Sequence, residues 1–362
     1  MPVPLRRRIG ALVFGSIAGR TVPAELQALA REFDLGGVTL FARNVESPEQ
    51  VLDLAVAIEA LGLEAPAWVS VDQEGGRVAR LRAPFTVWPP AATLGRAPDT
   101  ALAERFAQAL AAELRAVGVT LDFAPVLDIL TNAANPAIGD RALSHDATRT
   151  GELGAAIVRA LQEGGVAACG KHFPGHGDTS VDSHLELPLV EHGLDRLARV
   201  EFVPFRAAIA AGVACVMTAH VLVPALDESR PATLSSAIVP RLKTDLAHQG
   251  LVLSDDLEMQ AVAARWPPSE AAVMAVAAGC DGVLVCSGNL DAQAATLEAL
   301  VKAVESGVIS HARLDDATKR IARTKARFLA NRPPARERTR QWRQVVGCEA
   351  HQLVAAEMAT FA

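Results

Sequence analysis

Between Lys171 and His184 the chain reads KHFPGHGDTSVDSH, with three histidines, two aspartates and a lysine in fourteen residues. Imidazole and carboxylate side chains at this density can relay protons near neutral pH or bind a metal ion. Pro174, Gly175 and Gly177 break a helix. So many polar groups also argue against a buried strand. The segment is therefore expected to be a polar loop, following the apolar run 165–169. A second candidate is Ser254-Asp255-Asp256 at the end of the apolar run LVL. A carboxylate there can serve as a nucleophile, although Ser and Asp also cap helices. Two chemistries remain open at this point. His172, His176, Asp178, Asp182 and His184 are all plausible metal ligands. Against a metal, Lys171 adjoins the cluster, and Pro174 prevents two histidines from sharing one helical face.

Eight apolar runs are expected to be strands: residues 9–14, 37–41, 67–71, 120–125, 166–170, 215–218, 251–254 and 282–286. Helical periodicity fills 48–61, 100–117, 147–163, 196–211 and 291–305. Apolar strands alternating with amphipathic helices imply a parallel sheet, and eight units imply a closed single-domain α/β (β/α)8 TIM barrel. An open doubly wound sheet would call for a glycine fingerprint after the first strand, which GSIAGR at 15–20 does not supply. The polar clusters DQEGGR (72–77), LDI (127–129), KHFPGHG (171–177), TAH (218–220) and SDDLEM (254–259) all follow strands. In a barrel they converge on one face, where such folds keep their chemistry.

KHFPGHG followed by DSH resembles the corresponding loop of the family 3 glycoside hydrolases, specifically their bacterial β-N-acetylglucosaminidases. DQEGGR and SDD extend the resemblance from about residue 36 to 256. It implies a retaining exo-β-N-acetylglucosaminidase needing no cofactor and no metal. Asp255 would be the nucleophile, with His184, held by Asp182, as acid/base in place of the more usual second carboxylic acid. Asp72, Arg80, Arg141, Lys171 and His172 would bind the terminal sugar, and Gly175 and Gly177 would let the loop move. The implied substrates are N-acetylglucosamine-containing muropeptides in peptidoglycan recycling. A neutral imidazole would also tolerate an anionic acceptor, so phosphorolysis is an alternative. So are a β-glucosidase-type member, a metal-dependent barrel hydrolase and a barrel that binds sugar without turnover. Arg77 and Glu74 are expected to form an ion pair. His220 reads equally as a site member or a core histidine. Trp88 and Trp266 read as packing residues more readily than as sugar platforms.

The 362 residues are half hydrophobic and lack tyrosine, so Ala, Leu and Val must build the core. A net charge of −6 argues against nucleic acid as a partner. No apolar run reaches the length of a membrane span, and the N-terminal apolar run is too short for a secretory signal. Cys169, Cys215, Cys280, Cys286 and Cys348 are widely spaced, which fits small buried thiols in a reducing compartment. A cytoplasmic monomer is expected. The barrel should occupy residues 1–330 and leave 331–362 as a tail, whose basic stretch 332–343 is a solvated surface segment.

Overall fold

The computed structural model describes residues 3–62, 64–330, 332 and 341–362. Its frame is a closed barrel of eight parallel strands: β1 (Val13–Ser16), β2 (Gly37–Leu40), β3 (Trp68–Val71), β4 (Leu121–Asp122), β5 (Ala167–Phe173), β6 (Cys215–Thr218), β7 (Leu251–Asp256) and β8 (Gly282–Leu284). Each strand pairs with its neighbours in sequence, and β1 closes on β8 through Val13–Val283 and Phe14–Leu284. The strands are buried on both faces, so WVSV and LVL carry β-branched and apolar residues at consecutive positions instead of alternating.

Helices between the strands start where side chains replace missing backbone partners. Ser47 accepts from the Gln50 amide ahead of Pro48–Glu59, and Asp146 accepts from the Arg149 amide ahead of Ala147–Glu163. Asn289 caps Leu290–Glu305 by accepting from the amides of Asp291 and Ala292. Among the described residues no helix is long and apolar enough to cross a membrane.

Several expected boundaries shift; of 120–125 only Leu121–Asp122 is strand, and of 282–286 only Gly282–Leu284. Ile9 belongs to a short helix, Leu5–Gly10, whose arginines face outward while Ile9 and Gly10 are buried, and the first strand begins only at Val13. The expected helix 196–211 is two helices, Leu194–Arg199 and Phe202–Ala210. The break at Val200 puts Pro204 in the first turn of the second helix, where a missing N–H costs nothing. Finally, Lys171, His172 and Phe173 are not loop residues: they complete β5, buried throughout. The strand tolerates them because each polar head has a charged partner, as described below.

In the tail, helix Glu349–Ala359 lies against helix Ala101–Ala116. Arg105 pairs with Glu357, and the buried Glu113 accepts from the Gly347 amide at 2.8 Å and meets His351 at 3.0 Å. Of the basic stretch 332–343, residues 333–340 lie outside the described residues; Arg332 and Arg343 pair with Glu59 and Glu49. All five cysteines are free, four of them buried.

Candidate active site

The C-terminal ends of the strands enclose a cavity of about 460 Å³. Asp72, Arg80, Arg141, Lys171, His172, Asp182, His184 and Asp255 all line it, so the structure brings these eight candidates together.

One wall is a chain of alternating charges. After β3 the strand pair Gln73–Gly75 and Val78–Ala79 folds into a hairpin. Gly75 and Gly76 turn it at φ +96° and +57°, and a Cβ on Gly75 would lie 2.7 Å from the Pro89 carbonyl oxygen. The Gln73 side chain locks the hairpin by accepting from the amides of Arg80 and Leu81. This presents Asp72 and Glu74 to Lys171 of β5, whose Nζ lies 2.7 Å from Asp72 and 2.6 Å from Glu74. Arg141 forms a two-pronged pair with Glu74, both contacts at 2.8 Å, and Arg80 reaches Asp72 at 3.3 Å. Three cations therefore meet two carboxylates. Burial would raise the Asp72 and Glu74 pKa values, but Lys171 with Arg80, and Lys171 with Arg141, hold both below the usual carboxylate range. Burial would likewise neutralise Lys171, and the two carboxylates keep it protonated. The expected Glu74–Arg77 pair is not formed. Arg77 instead donates to the carbonyls of Pro136, Ala137 and Ile138, steadying the turn that carries Arg141, while Glu74 faces the better-buried Arg141.

His172 is fixed from below. Its Nδ1 lies 2.6 Å from Asp128 Oδ2, and Asp128 Oδ1 accepts from the amides of His172 and His176. Burial works against the Asp128 charge, yet His172 holds its pKa low. Burial pushes the His176 pKa down; its Nδ1 meets Thr179 and its Nε2 meets Ser183, which holds the loop together internally. Gly175 and Gly177 have static reasons to be glycine, beyond any part in loop motion. Gly175 sits at φ +128°, and a Cβ on Gly177 would be 1.7 Å from the Ile129 carbonyl oxygen.

On the open side, His184 is 69 % exposed at its side chain, with Nδ1 2.8 Å from Asp182 Oδ1. The Asp182 carboxylate also accepts from the His184 amide, and its pKa is lowered because these hydrogen bonds outweigh partial burial. Nδ1 is thereby committed to the carboxylate, leaving Nε2 to face solvent or a ligand. The five residues of the metal alternative are divided among separate partnerships: His172 with Asp128, His176 with Thr179 and Ser183, Asp178 with Thr131 and His192, and Asp182 with His184. Among the described residues no group of three or more such side chains is arranged to hold a metal ion.

At the floor, β7 ends in Asp255 and Asp256. Asp255 lines the cavity, half-buried, and accepts from the Asp256 amide at 2.8 Å. Asp256 accepts from the amides of Glu258 and Cys286, joining the ends of β7 and β8. Burial, with Glu258 and Asp255 adding repulsion, raises the Asp256 pKa to about 7. The folded form therefore holds a proton that the unfolded chain releases near pH 3.9. Stability should decline as pH rises from about 4 to about 7, by roughly 1–4 kcal/mol. Urea midpoints measured across that range check this. Asp256→Asn should flatten the slope, and an unchanged slope would show that another group carries it.

His220 is buried outside the cavity lining, bridging Thr233 and the Asp256 carbonyl, so it supports β7. Trp88 packs edge-on against Phe106 and Trp266 lies against the core; neither lines the cavity. Sequence reasoning gave no role to Asp128 or Arg43. Arg43 donates to Ser16, Ile17 and Cys286, tying the ends of β1, β2 and β8 together. A lone charge just beyond an apolar strand was the available signal for both.

Comparison with known proteins agrees with this geometry. Residues 5–324 match the glycosyl hydrolase family 3 N terminal domain. A beta-hexosaminidase from Nitrosomonas eutropha is 38% identical over 305 residues, covering 82% of this chain and 87% of the relative. A family 3 beta-N-acetylglucosaminidase from Paenibacillus superposes with a TM-score of 0.89 at 40% identity, over 95% of this chain and 68% of that one. NagZ from Neisseria gonorrhoeae, solved in complex with N-trifluoroacetyl-D-glucosamine, gives a TM-score of 0.78 at 31% identity, over 97% and 98%. With a family match across nearly the whole barrel and relatives well above 30% identity, this chain belongs to family 3 of the glycosyl hydrolases.

Proposed function

We propose that the chain is a retaining exo-β-N-acetylglucosaminidase in which Asp255 is the nucleophile and His184, held by Asp182, is the acid/base. The observation that carries this reading is the cavity lined by Asp255, by the Asp182–His184 pair, and by Asp72, Lys171 and Arg141, the last two joined behind it through Glu74. The named relatives, a beta-hexosaminidase and a beta-N-acetylglucosaminidase, support the N-acetylhexosamine preference.

The chemistry follows from the side chains. An Asp255 oxygen attacks the anomeric carbon as the glycosidic C–O bond breaks. The His184 imidazolium gives its Nε2 proton to the leaving oxygen, while Asp182 keeps the ring in one tautomer. In the second step neutral His184 takes a proton from water as that water displaces Asp255, restoring both groups. Asp72 is the residue whose carboxylate can accept from vicinal sugar hydroxyls, with Arg80, Arg141, Lys171 and His172 around it. A two-step displacement of this kind runs on side chains alone. The physiological substrate we assign is N-acetylglucosamine linked to anhydro-N-acetylmuramic acid in muropeptides, cleaved by a cytoplasmic monomer during peptidoglycan recycling.

The test is parallel turnover of the 4-nitrophenyl β-glycosides of N-acetylglucosamine and glucose, followed by a muropeptide disaccharide. Release from the first but not the second supports the reading, and preference for the glucoside contradicts it. His184→Ala adds a sharper check. In the first step, read from kcat/KM, loss of a general acid costs roughly 10²–10⁴-fold where the leaving group needs a proton, and far less for nitrophenolate. Equal losses of kcat/KM on nitrophenyl and disaccharide substrates would remove His184 from that role.

A further inference from the structure

The opposite, N-terminal end of the barrel holds a second cavity, of about 420 Å³. It lies where Ala11 precedes β1, Asp34 precedes β2 and Glu64 and Ala65 precede β3, with helix His311–Leu329 as its wall. Part of the lining is apolar, supplied by Val3, Ala65 and Ile321. Its other charged members are engaged: Arg7 pairs with Glu64 at 3.2 Å, Arg8 pairs with Asp315, and Asp34 accepts from the Glu64 amide. The exception is Lys325. This side chain belongs to a residue only 6 % exposed, yet it lines the cavity and makes no hydrogen bond or ion pair among the described residues.

The five lysines of the chain divide sharply. Lys171 is bound to Asp72 and Glu74, and Lys243 to Asp281 and Asp316. Lys302 and Lys319 are exposed on helices. Only Lys325 combines burial, an open cavity and no partner. A buried ammonium with no carboxylate paired to it favours its neutral form; burial lowers the Lys325 pKa to about 8, outweighing the attraction of Asp34 across the same cavity. Arg7 and Arg8 also face this cavity and oppose the ammonium, while Glu64 and Asp315 are engaged by those arginines.

From this placement we infer that Lys325 is an acylation site, which takes small acyl groups from activated acyl donors such as acyl phosphates. The neutral Nζ attacks the carbonyl carbon, an N–C bond forms, the acyl C–O bond breaks, inorganic phosphate leaves and one proton passes from nitrogen to water. The product amide is uncharged, so it suits a partly apolar cavity better than the ammonium does. The cavity has room for a two-carbon group without displacing its walls.

Acetyl phosphate is the probe. The intact protein is treated across pH 7–10, and occupancy at each lysine is read by peptide mass spectrometry. Near neutral pH, lowering an amine pKa from about 10.4 to about 8 raises its free fraction by roughly 200-fold, and reduced basicity takes back part of that gain. Lys325 should react about tenfold faster than Lys302 or Lys319, with a rate that levels off above pH 8. In concentrated urea the advantage should vanish. Acylation of Lys325 no faster than the two exposed lysines, or an advantage that survives unfolding, would overturn the assignment. Lys325→Arg should abolish the modification while turnover of the nitrophenyl substrate stays unchanged, since the cavity lies at the far end of the barrel.

Discussion

Asp255→Ala is expected to lower turnover of the N-acetylglucosaminide by roughly 10⁴-fold, equivalent to about 5 kcal/mol of transition-state stabilisation. In the proposed mechanism this carboxylate forms the first covalent bond to the sugar. Asp256 is adjacent but is held by two backbone amides and keeps a proton up to about pH 7. The loss should be catalytic, not structural. Asp255 is half-buried and its one hydrogen bond is to the neighbouring amide, so the melting temperature should move little. A small nucleophile such as azide should restore release from the nitrophenyl substrate, attacking from the vacated side and giving the α-glycosyl azide. Turnover within a few-fold of the parent enzyme would end the claim for Asp255.

Lys171→Met carries the largest expected structural effect. Lys171 is the hub between Asp72 and Glu74, and its removal strands two buried carboxylates with only Arg80 and Arg141 beside them. Breaking a buried pair from one side costs about 3–5 kcal/mol, because the remaining charge stays desolvated. The sign of the pH dependence makes the prediction specific. Glu74 and Asp72 have lowered pKa values in the fold, so their contribution is present above about pH 4 and lost as pH falls further. Without Lys171 that contribution shrinks. The stability gap between parent and variant should therefore be widest near neutral pH and narrow towards pH 3, read from urea midpoints. A gap independent of pH would mean that Lys171 acts through packing alone. Sugar binding should weaken together with stability, because Asp72 would lose the cation that fixes its orientation.

The barrel was legible because its signal is repeated. Eight apolar runs separated by helical periodicity leave little choice of architecture, and polar clusters after successive strands show which end carries the chemistry. The candidate site residues stood out for a related reason: Asp72, Lys171 and Asp255 lie at or just past the end of an apolar run, and His184 closes the polar stretch that follows one. What composition could not show was pairing. KHF looks too polar for a buried strand until Asp72, Glu74 and Asp128 supply partners from three other elements. Glu74 and Arg77 are close in sequence, yet Glu74 is bound by Arg141, sixty-seven residues away. Asp128 was visible only as part of LDI, without a role, because its part depends on two amides and an imidazole brought in by β5 and the loop after it. Ion pairs across a barrel are set by register and loop geometry, which single-residue properties do not encode. The split of helix 194–210 was visible in Pro204, had its place in a first turn been weighed against continuous periodicity.

The central claim is a covalent glycosyl-enzyme formed on Asp255 and resolved with help from His184. His184→Ala offers the most direct view of it. Nitrophenolate leaves without a proton, so the first step survives, while the second loses its general base and the intermediate should accumulate. The measurement is acid-quenched mass spectrometry of this variant mixed with 4-nitrophenyl β-N-acetylglucosaminide, followed by peptide mapping. The account predicts a single added N-acetylhexosamine on the peptide containing Asp255. An adduct on another residue, or none during a burst of nitrophenol release, would contradict it.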